Sequence, residues 1–364
     1  MRFGLTDEQT ALRDTARAFF SANAGRDELR RVIQPDAEHD PRLWARMSEE
    51  MGLTGLTVDI EQDGAGAGFV ELAVVLEESG RVLLSAPLFS TAVLAVSALQ
   101  QSGDPAAQDE WLPRLATGGL QATLAYLDDD AETRAARNGA GWTVHGRKSY
   151  VIDGDTAGLV LVTAETDAGL SLFAVHGDAS GCDRVRLDAL DPTRHLADLS
   201  FDGVEAQLIG DEGAGAVVLR RTLDIAAVAL AAEMVGVAQS ALDMAVAYAS
   251  TRVQFDRPIG SFQAIKHKCA DMFIDVETSR ALVMHAAWAV SHGTASLSEV
   301  ASMTIAHASD ACFRVVAQNL QILGGIGYTW EHDGHLYFKR GKSSSQLLGS
   351  SDSHRELVAS AVGL

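Results

Sequence analysis

A double change of hydrophobic period constrains this chain more than any other feature. Up to about residue 120 apolar residues recur at three- and four-residue spacing, from about Gln121 they alternate in short runs, and from Ala214 the helical spacing returns. The two periods bury different faces of the backbone, so the order of structure is helical, then β, then helical. Thr6-Asp-Glu-Gln9 has capping-box form, and Leu12, Ala16, Phe19 and Phe20 follow at helical spacing. Further helical spacing covers about 41–52, 69–84, 88–102 and 106–116, interrupted by Asp63-Gly-Ala-Gly-Ala-Gly68 and Pro87. The alternating third contains Ala122-Thr-Leu-Ala-Tyr126, Gly141-Trp-Thr-Val-His145, Leu159-Val-Leu-Val162 and Leu170-Ser-Leu-Phe-Ala-Val175 and ends near Ile209. Helices are then expected over 215–250, 262–292, 295–325 and from about Ser351.

A chain of 364 residues, 47% hydrophobic, is long enough for two or three domains around a large core and too apolar for disorder. Its 49 acidic and 29 basic residues give a net charge of −20, which repels nucleic acid and anionic membrane surfaces. The strongly apolar stretch from Ile225 to Ala247 contains Glu233, Gln239 and Asp243, and reads as a buried helix rather than a membrane span. The start, Met1-Arg-Phe-Gly, runs straight into a polar helical segment without an apolar signal region, so a cytoplasmic location is expected. Cys182, Cys269 and Cys312 lie far apart without metal-ligand spacing, which fits a reducing compartment and three core thiols. The glycine-rich 63–68 stretch has no strand before it and reads as a surface turn, not a phosphate cradle.

Three C-terminal fragments carry the functional signal. They are Arg252-Val-Gln-Phe-Asp-Arg-Pro-Ile-Gly-Ser-Phe-Gln263, Gln321-Ile-Leu-Gly-Gly-Ile-Gly-Tyr328 and Leu347-Leu-Gly-Ser-Ser-Asp-Ser-His-Arg355. In this order, after a long Ala-rich helix, and with Leu5-Thr-Asp-Glu-Gln9 and Trp111-Leu-Pro113 upstream, they resemble the acyl-CoA dehydrogenase family of flavoproteins over essentially the whole chain. The resemblance implies an α+β fold with an N-terminal helical domain (1–118), a middle β-domain (119–212), built as a sandwich or barrel, and a C-terminal four-helix bundle (213–364). It also implies an oligomer, homo- or heteromeric, in which each FAD crosses a subunit boundary. The activity implied is 2,3-desaturation of an acyl-CoA thioester, with electrons passed to an electron-transferring flavoprotein. The cofactor-binding residues would be Arg252 at the pyrophosphate, Phe262, Gln263 and Gln321 beside the dinucleotide, and Gly324, Gly325 and Gly349 where backbone borders it. A guanidinium fork suits phosphate oxygens, and glycines admit a close approach. Read singly, Arg252 is equally a solvated surface arginine and Gly324-Gly325 a helix C-cap.

The same comparison exposes departures. Desaturation requires a carboxylate to take the α-proton while the β-hydrogen leaves as hydride. Leu348 stands where most members keep their glutamate, and Ala226 fills the place some relatives use instead. In the β-domain, Ala125-Tyr-Leu-Asp-Asp-Asp130 and Lys148-Ser-Tyr-Val-Ile-Asp-Gly154 occupy the flavin-facing regions. Tyr150 retains a ring that can stack, whereas Ile152 cannot supply the expected hydroxyl. The half-site facing the chain's own flavin is thus eroded, and the half lent to a neighbour is kept. The expectation is a subunit that completes the FAD site of a catalytic paralogue. The alternatives are a self-sufficient dehydrogenase with a relocated base, or another flavin reaction on this fold. Glu233 and Asp224 are the candidate bases, and Glu233 is either paired, at an interface, or poised as a base. His267 and Asp271, four apart, suggest a salt-bridged helix face rather than a metal pair, and no metal is expected. Adjacency alone does not give Asp352, Ser353 and His354 the converging geometry of a hydrolase triad. His332 and His335 are placed in a polar loop.

Overall fold

A computed structural model describes residues 4–34, 37–139 and 141–364. The first three residues, on which the cytoplasmic expectation partly rested, lie outside it. The first third forms α1 (Asp7–Asn23), α2 (Arg26–Val32), α3 (Pro41–Ala45), α4 (Phe69–Arg81), α5 (Val96–Ser102) and α6 (Pro105–Ala116). Then come β1 (Ala122–Ala125), β2 (Arg134–Asn138), β3 (Gly141–Ile152), β4 (Leu159–Thr166), β5 (Gly169–His176), β6 (Cys182–Arg186) and β7 (Leu196–Ile209). The last part is α7 (Gly215–Thr251), the small hairpin β8 (Val253–Gln254) and β9 (Arg257–Pro258), then α8 (Gln263–Ser291), α9 (Leu297–Leu323), α10 (Gly334–Leu347) and α11 (Ser351–Ala361). The helical, β, helical order is the one the periods imply. The capping box at α1 forms as expected: Gln9 N donates to Thr6 Oγ1 at 3.2 Å, and Thr6 N to Gln9 Oε1 at 3.0 Å.

Packing divides the described residues into two units. One comprises those up to Gln34, Phe69–Leu84 and Ala227–Leu364; the other comprises those from Ala37 to Gly68 and Ser85–Ala226. In the second unit the strands close on themselves. Antiparallel β3 joins β2 and β7, β7 joins β5, β5 joins β4, and β4 meets β2 through Arg134 and Glu165. That ring is a small barrel rather than a sandwich, filled by Trp142, Val144, Val160, Val162, Phe173, Val175, Leu199 and Phe201.

The helical unit is held by close crossings and buried ion pairs. A Cβ on Gly236 would sit 1.8 Å from the Glu77 carbonyl, and one on Gly80 2.0 Å from that of Glu233, so α4 and α7 touch backbone to backbone. Glu78, buried, receives Arg17 at 2.7 Å. Among the described residues only α7 is long and apolar enough to cross a membrane, and 89% of its most apolar window is buried in the fold.

Several local expectations change. His335 is not in a loop: it is buried in the first turn of α10, its ring edge-on to Trp330 at 4.6 Å. That helix was missed because Gly334, Gly341 and a run of serines give it low intrinsic propensity, and burial of Leu336, Tyr337 and Arg340 stabilises it instead. Of the three cysteines only Cys312 is in the core; Cys182 and Cys269 are half-buried. His267 and Asp271 are both exposed, and no ion pair joins them among the described residues.

Candidate cofactor site

The end of α7 and the start of α8 are joined by the β8–β9 hairpin, whose turn residues Phe255 and Asp256 both have positive φ, 53° and 61°. Arg252 is fixed by its backbone, donating from N to the Tyr248 carbonyl and accepting from Ile259 N, each at 2.8 Å. Its exposed guanidinium has no hydrogen-bond or ion-pair partner among the described residues. Phe262 caps α8, with the Arg257 guanidinium 4.1 Å from its ring centre, and Gln263 opens the helix exposed to solvent.

Helices α8 and α9, joined by a short loop, pack as an antiparallel pair tied by Arg314 and Asp275 at 2.8 Å. The start of α8 therefore lies at the same end as the finish of α9, where Gln321 is exposed and Gly324 ends the helix at φ 65°, ψ −143°. Such a conformation is open to glycine and strained for other residues. Among the described residues, chain neighbours apart, no atom lies within 4 Å of where a Cβ would stand on Gly324 or Gly325. Between the two helices runs an open groove of about 500 Å³, lined by Lys268, Met272, Asp275, Arg314 and Gln318 among others. The structure thus brings Arg252, Phe262, Gln263, Gln321, Gly324 and Gly325 to one end of the α7–α9 assembly, where among the described residues the guanidinium and the two side-chain amides have no partner and the glycine backbone is open. That donor set suits a pyrophosphate-bearing dinucleotide.

Gly349 belongs to a separate feature. It follows α10 at φ 107°, where a Cβ would stand 3.0 Å from Ser353 Oγ. Its neighbour Leu348 is half-buried and its carbonyl lies 3.0 Å from His354 Nε2. Ser350 caps α11, and Arg355 is committed to Asp310 and Asp352. No carboxylate occupies 347–351. Ala226 and Ala227 are buried on α7, and Asp224 is half-buried one turn earlier.

Glu233 is paired. Its carboxylate meets Arg340 Nη1 at 2.9 Å, both side chains being buried, and Arg340 also reaches the Leu84 carbonyl at 3.4 Å. Cys312 lies close by, its thiol pushed up to about 12 by burial and then by the Glu233 charge.

In the β-domain Lys148 is buried and bonds Asp128 at 2.6 Å. Burial lowers the Lys148 pKa despite this partner. Burial would raise the Asp128 carboxyl, but hydrogen bonds from Lys148 and Thr133 outweigh it and hold it below its ordinary value. Tyr150 is 60% exposed at φ 56°, whereas Ile152 is buried and its carbonyl accepts from Thr123 Oγ1 at 2.6 Å. The turn after the strand begins with Asp153, which is buried against His39 and His195, a cluster that sequence spacing does not announce because its members lie 114 and 42 positions apart.

Comparison with known proteins accords with the fold. Residues 6–119 match the N-terminal domain of acyl-CoA dehydrogenases and residues 213–363 their C-terminal domain. The chain is 36% identical over 344 residues to acyl-CoA dehydrogenase IpdE2 of Mycobacterium tuberculosis, covering 94% of each. Among solved structures it resembles the Tcur3481-Tcur3483 steroid ACAD, in a variant form, with a TM-score of 0.89 and 31% identity over 98% of both chains. It also resembles a chain of the ChsE4-ChsE5 complex of Mycobacterium tuberculosis, with a TM-score of 0.91, 27% identity and coverage of 100% and 99%. The fold and these relatives define a flavoprotein oxidoreductase class. The chain belongs to the acyl-CoA dehydrogenase family, whose cofactor is FAD.

Proposed function

We propose that this chain is a non-catalytic or half-catalytic subunit of a heteromeric acyl-CoA dehydrogenase. It completes the FAD site of a related subunit that carries the catalytic glutamate. One observation carries the reading: Arg252, Gln321 and Gly324-Gly325 are uncommitted at one end of the helical unit, while the 347–351 segment holds no base. Arg252 would bind the pyrophosphate, Gln321 would donate and accept through its amide, and Phe262 and Gln263 would flank the dinucleotide. Gly349 would border it from the other segment.

FAD, when bound, supplies the hydride acceptor for 2,3-desaturation of a CoA thioester, and an electron-transferring flavoprotein would then collect the electrons. This chain's residues bind and orient; the α-proton goes to the partner's carboxylate. Similarity to chains from a two-component steroid ACAD and from the ChsE4-ChsE5 complex supports a heteromer and favours a steroid-derived or fatty acyl substrate. A cytoplasmic location goes with that chemistry.

A self-sufficient enzyme using Glu233 is disfavoured by its buried ion pair with Arg340, which occupies the carboxylate. Asp224 is left as the other candidate for a relocated base. Purification and a flavin absorbance ratio test the proposal. The chain alone should be nearly colourless, and co-expression with a glutamate-bearing paralogue should yield fewer than one FAD per chain. A yellow homo-oligomer with one FAD per chain would overturn it.

A further inference from the structure

A buried polar cluster in the β-domain unit lies outside the cofactor residues named above. His39, on the segment leading into α3, places Nδ1 3.1 Å from the Ser85 carbonyl and Nε2 3.2 Å from Asp153 Oδ1. Its side chain is 7% exposed and that of Asp153 6%. The Ser85 carbonyl accepts only, and so does Asp153 as a carboxylate, the form its lowered pKa favours; with Asp153 ionised both ring nitrogens carry hydrogen, whereas a neutral imidazole would face one oxygen with a lone pair. Asp153 is held further by Ser90 Oγ, which donates to Oδ2 at 2.6 Å, and by its own N–H to the His195 carbonyl at 3.0 Å. It sits at φ 52°, a conformation unfavourable for a non-glycine residue.

A cation must therefore lie between His39 and Asp153, and a metal ion is the competitor to a proton. His39, Asp153 and His195 offer donor atoms within 4.8 Å of one another. However, the two imidazoles are stacked face to face, with centroids 4.1 Å apart and planes 20° from parallel. Each lone pair lies in its own ring plane, so one ion cannot meet both rings without a large rotation. His195, whose Nδ1 has no hydrogen-bond partner among the described residues and stands 3.9 Å from Asp155 Oδ2, is kept neutral by burial and by the neighbouring His39 charge.

We propose that His39 acts as a proton-held clasp: as an imidazolium it fastens the segment before α3 to the strained turn that ends β3, and it releases that turn when it loses its proton. Among the described residues the charged groups around it include Asp155 and Arg186, themselves paired at 2.6 Å, His195 across the stack, Arg194 buried against the Phe89 ring, and Arg184 donating to the Ala157 carbonyl beyond the turn. With His39 protonated, Asp153 has a bonded cation as Asp155 has Arg186; without the proton Asp153 loses the cation it is bonded to.

The sign follows for each member. Burial alone would lower the His39 pKa, but Asp153, then Ser85 and Asp155, outweigh it and raise it. Its contribution is therefore complete below the ordinary imidazole range and is lost as pH rises through the raised value. His195 runs the other way: burial, then repulsion from His39, push it down to about 4. Its contribution is present above the ordinary imidazole value and is lost as pH falls towards that figure. Burial would raise the Asp153 pKa, but His39 and then Ser90 lower it, so its share is lost only in stronger acid.

The test is a double-mutant cycle of thermal melts on the full chain, with His39→Gln, Asp153→Asn and the pair together, near pH 6 and near pH 9. At the lower pH the double variant should lose clearly less than the sum of the singles, each single costing roughly 2–5 °C. At the higher pH that shortfall should shrink towards zero. A coupling equal at both pH values would overturn the clasp, since contact and shape do not titrate. So would binding of one zinc per chain that raises the wild-type melting temperature and is abolished by His39→Gln. If either single variant fails to fold, His195→Gln keeps the clasp intact and decides the matter. It should retain the alkaline loss of stability and shed only the acid-side share that His195 causes, leaving that of Asp153; loss of the alkaline slope would overturn the proposal. None of these readouts depends on flavin or on a partner chain.

Discussion

Arg252 and Arg340 show how differently two arginines of one fold are used. Arg252 is exposed, held only by its backbone and without a counter-charge; Arg340 is buried and spent on Glu233. Arg252→Ala should therefore leave melting unchanged and weaken flavin retention by the co-expressed assembly. Each charge-assisted contact to phosphate is worth about 1.5–3 kcal/mol, roughly ten- to hundredfold in affinity. Equilibrium dialysis of FAD checks this, and an unchanged affinity would remove Arg252 from the site. Glu233→Gln should do the reverse. It leaves the Arg340 guanidinium buried without its full counter-charge, a class of change that costs about 3–5 kcal/mol. Turnover per folded assembly should remain within about tenfold, against the 10²–10⁴-fold loss expected of a general base. Denaturant melts and rates corrected for folded protein separate the two effects. Glu233 was visible in the sequence as an acid in an apolar helix, with pairing among the possible readings. Its partner 107 residues away was not.

At the scale of elements, the long helices and the barrel strands were legible because burial imposes their period. The elements missed were those stabilised by neighbours rather than by their own pattern. Helix α10 is one, and β6, whose residues alternate only weakly between half-buried and exposed along β7, is another. The α4–α7 crossing is a similar case: Gly80 and Gly236 read as ordinary helix glycines, which propensity alone would penalise. Their role appears only where the two backbones meet. Gly236→Ala should gain local helix propensity and still destabilise, because its Cβ would fall 1.8 Å from the Glu77 carbonyl. Overpacking of this kind costs about 1–3 kcal/mol or more. A melting temperature at or above wild type would mean that the crossing relaxes freely.

For the whole molecule, the family and the order of its domains followed from the sequence, because hydrophobic period and three short fragments are local properties of the chain. The absence of a glutamate at 348 was equally legible, since no tertiary arrangement turns a leucine into a base. What only the tertiary structure decided was company. It closed the alternating strands into a barrel, brought the start of α8 beside the end of α9, paired Glu233 with Arg340, and stacked His39 on His195 over Asp153. These depend on contacts between residues tens to hundreds of positions apart, which no window along the chain contains. A side chain's protonation and availability are set by such neighbours, so the chemistry open to Glu233, Arg252 and His39 was fixed by folding rather than by residue type.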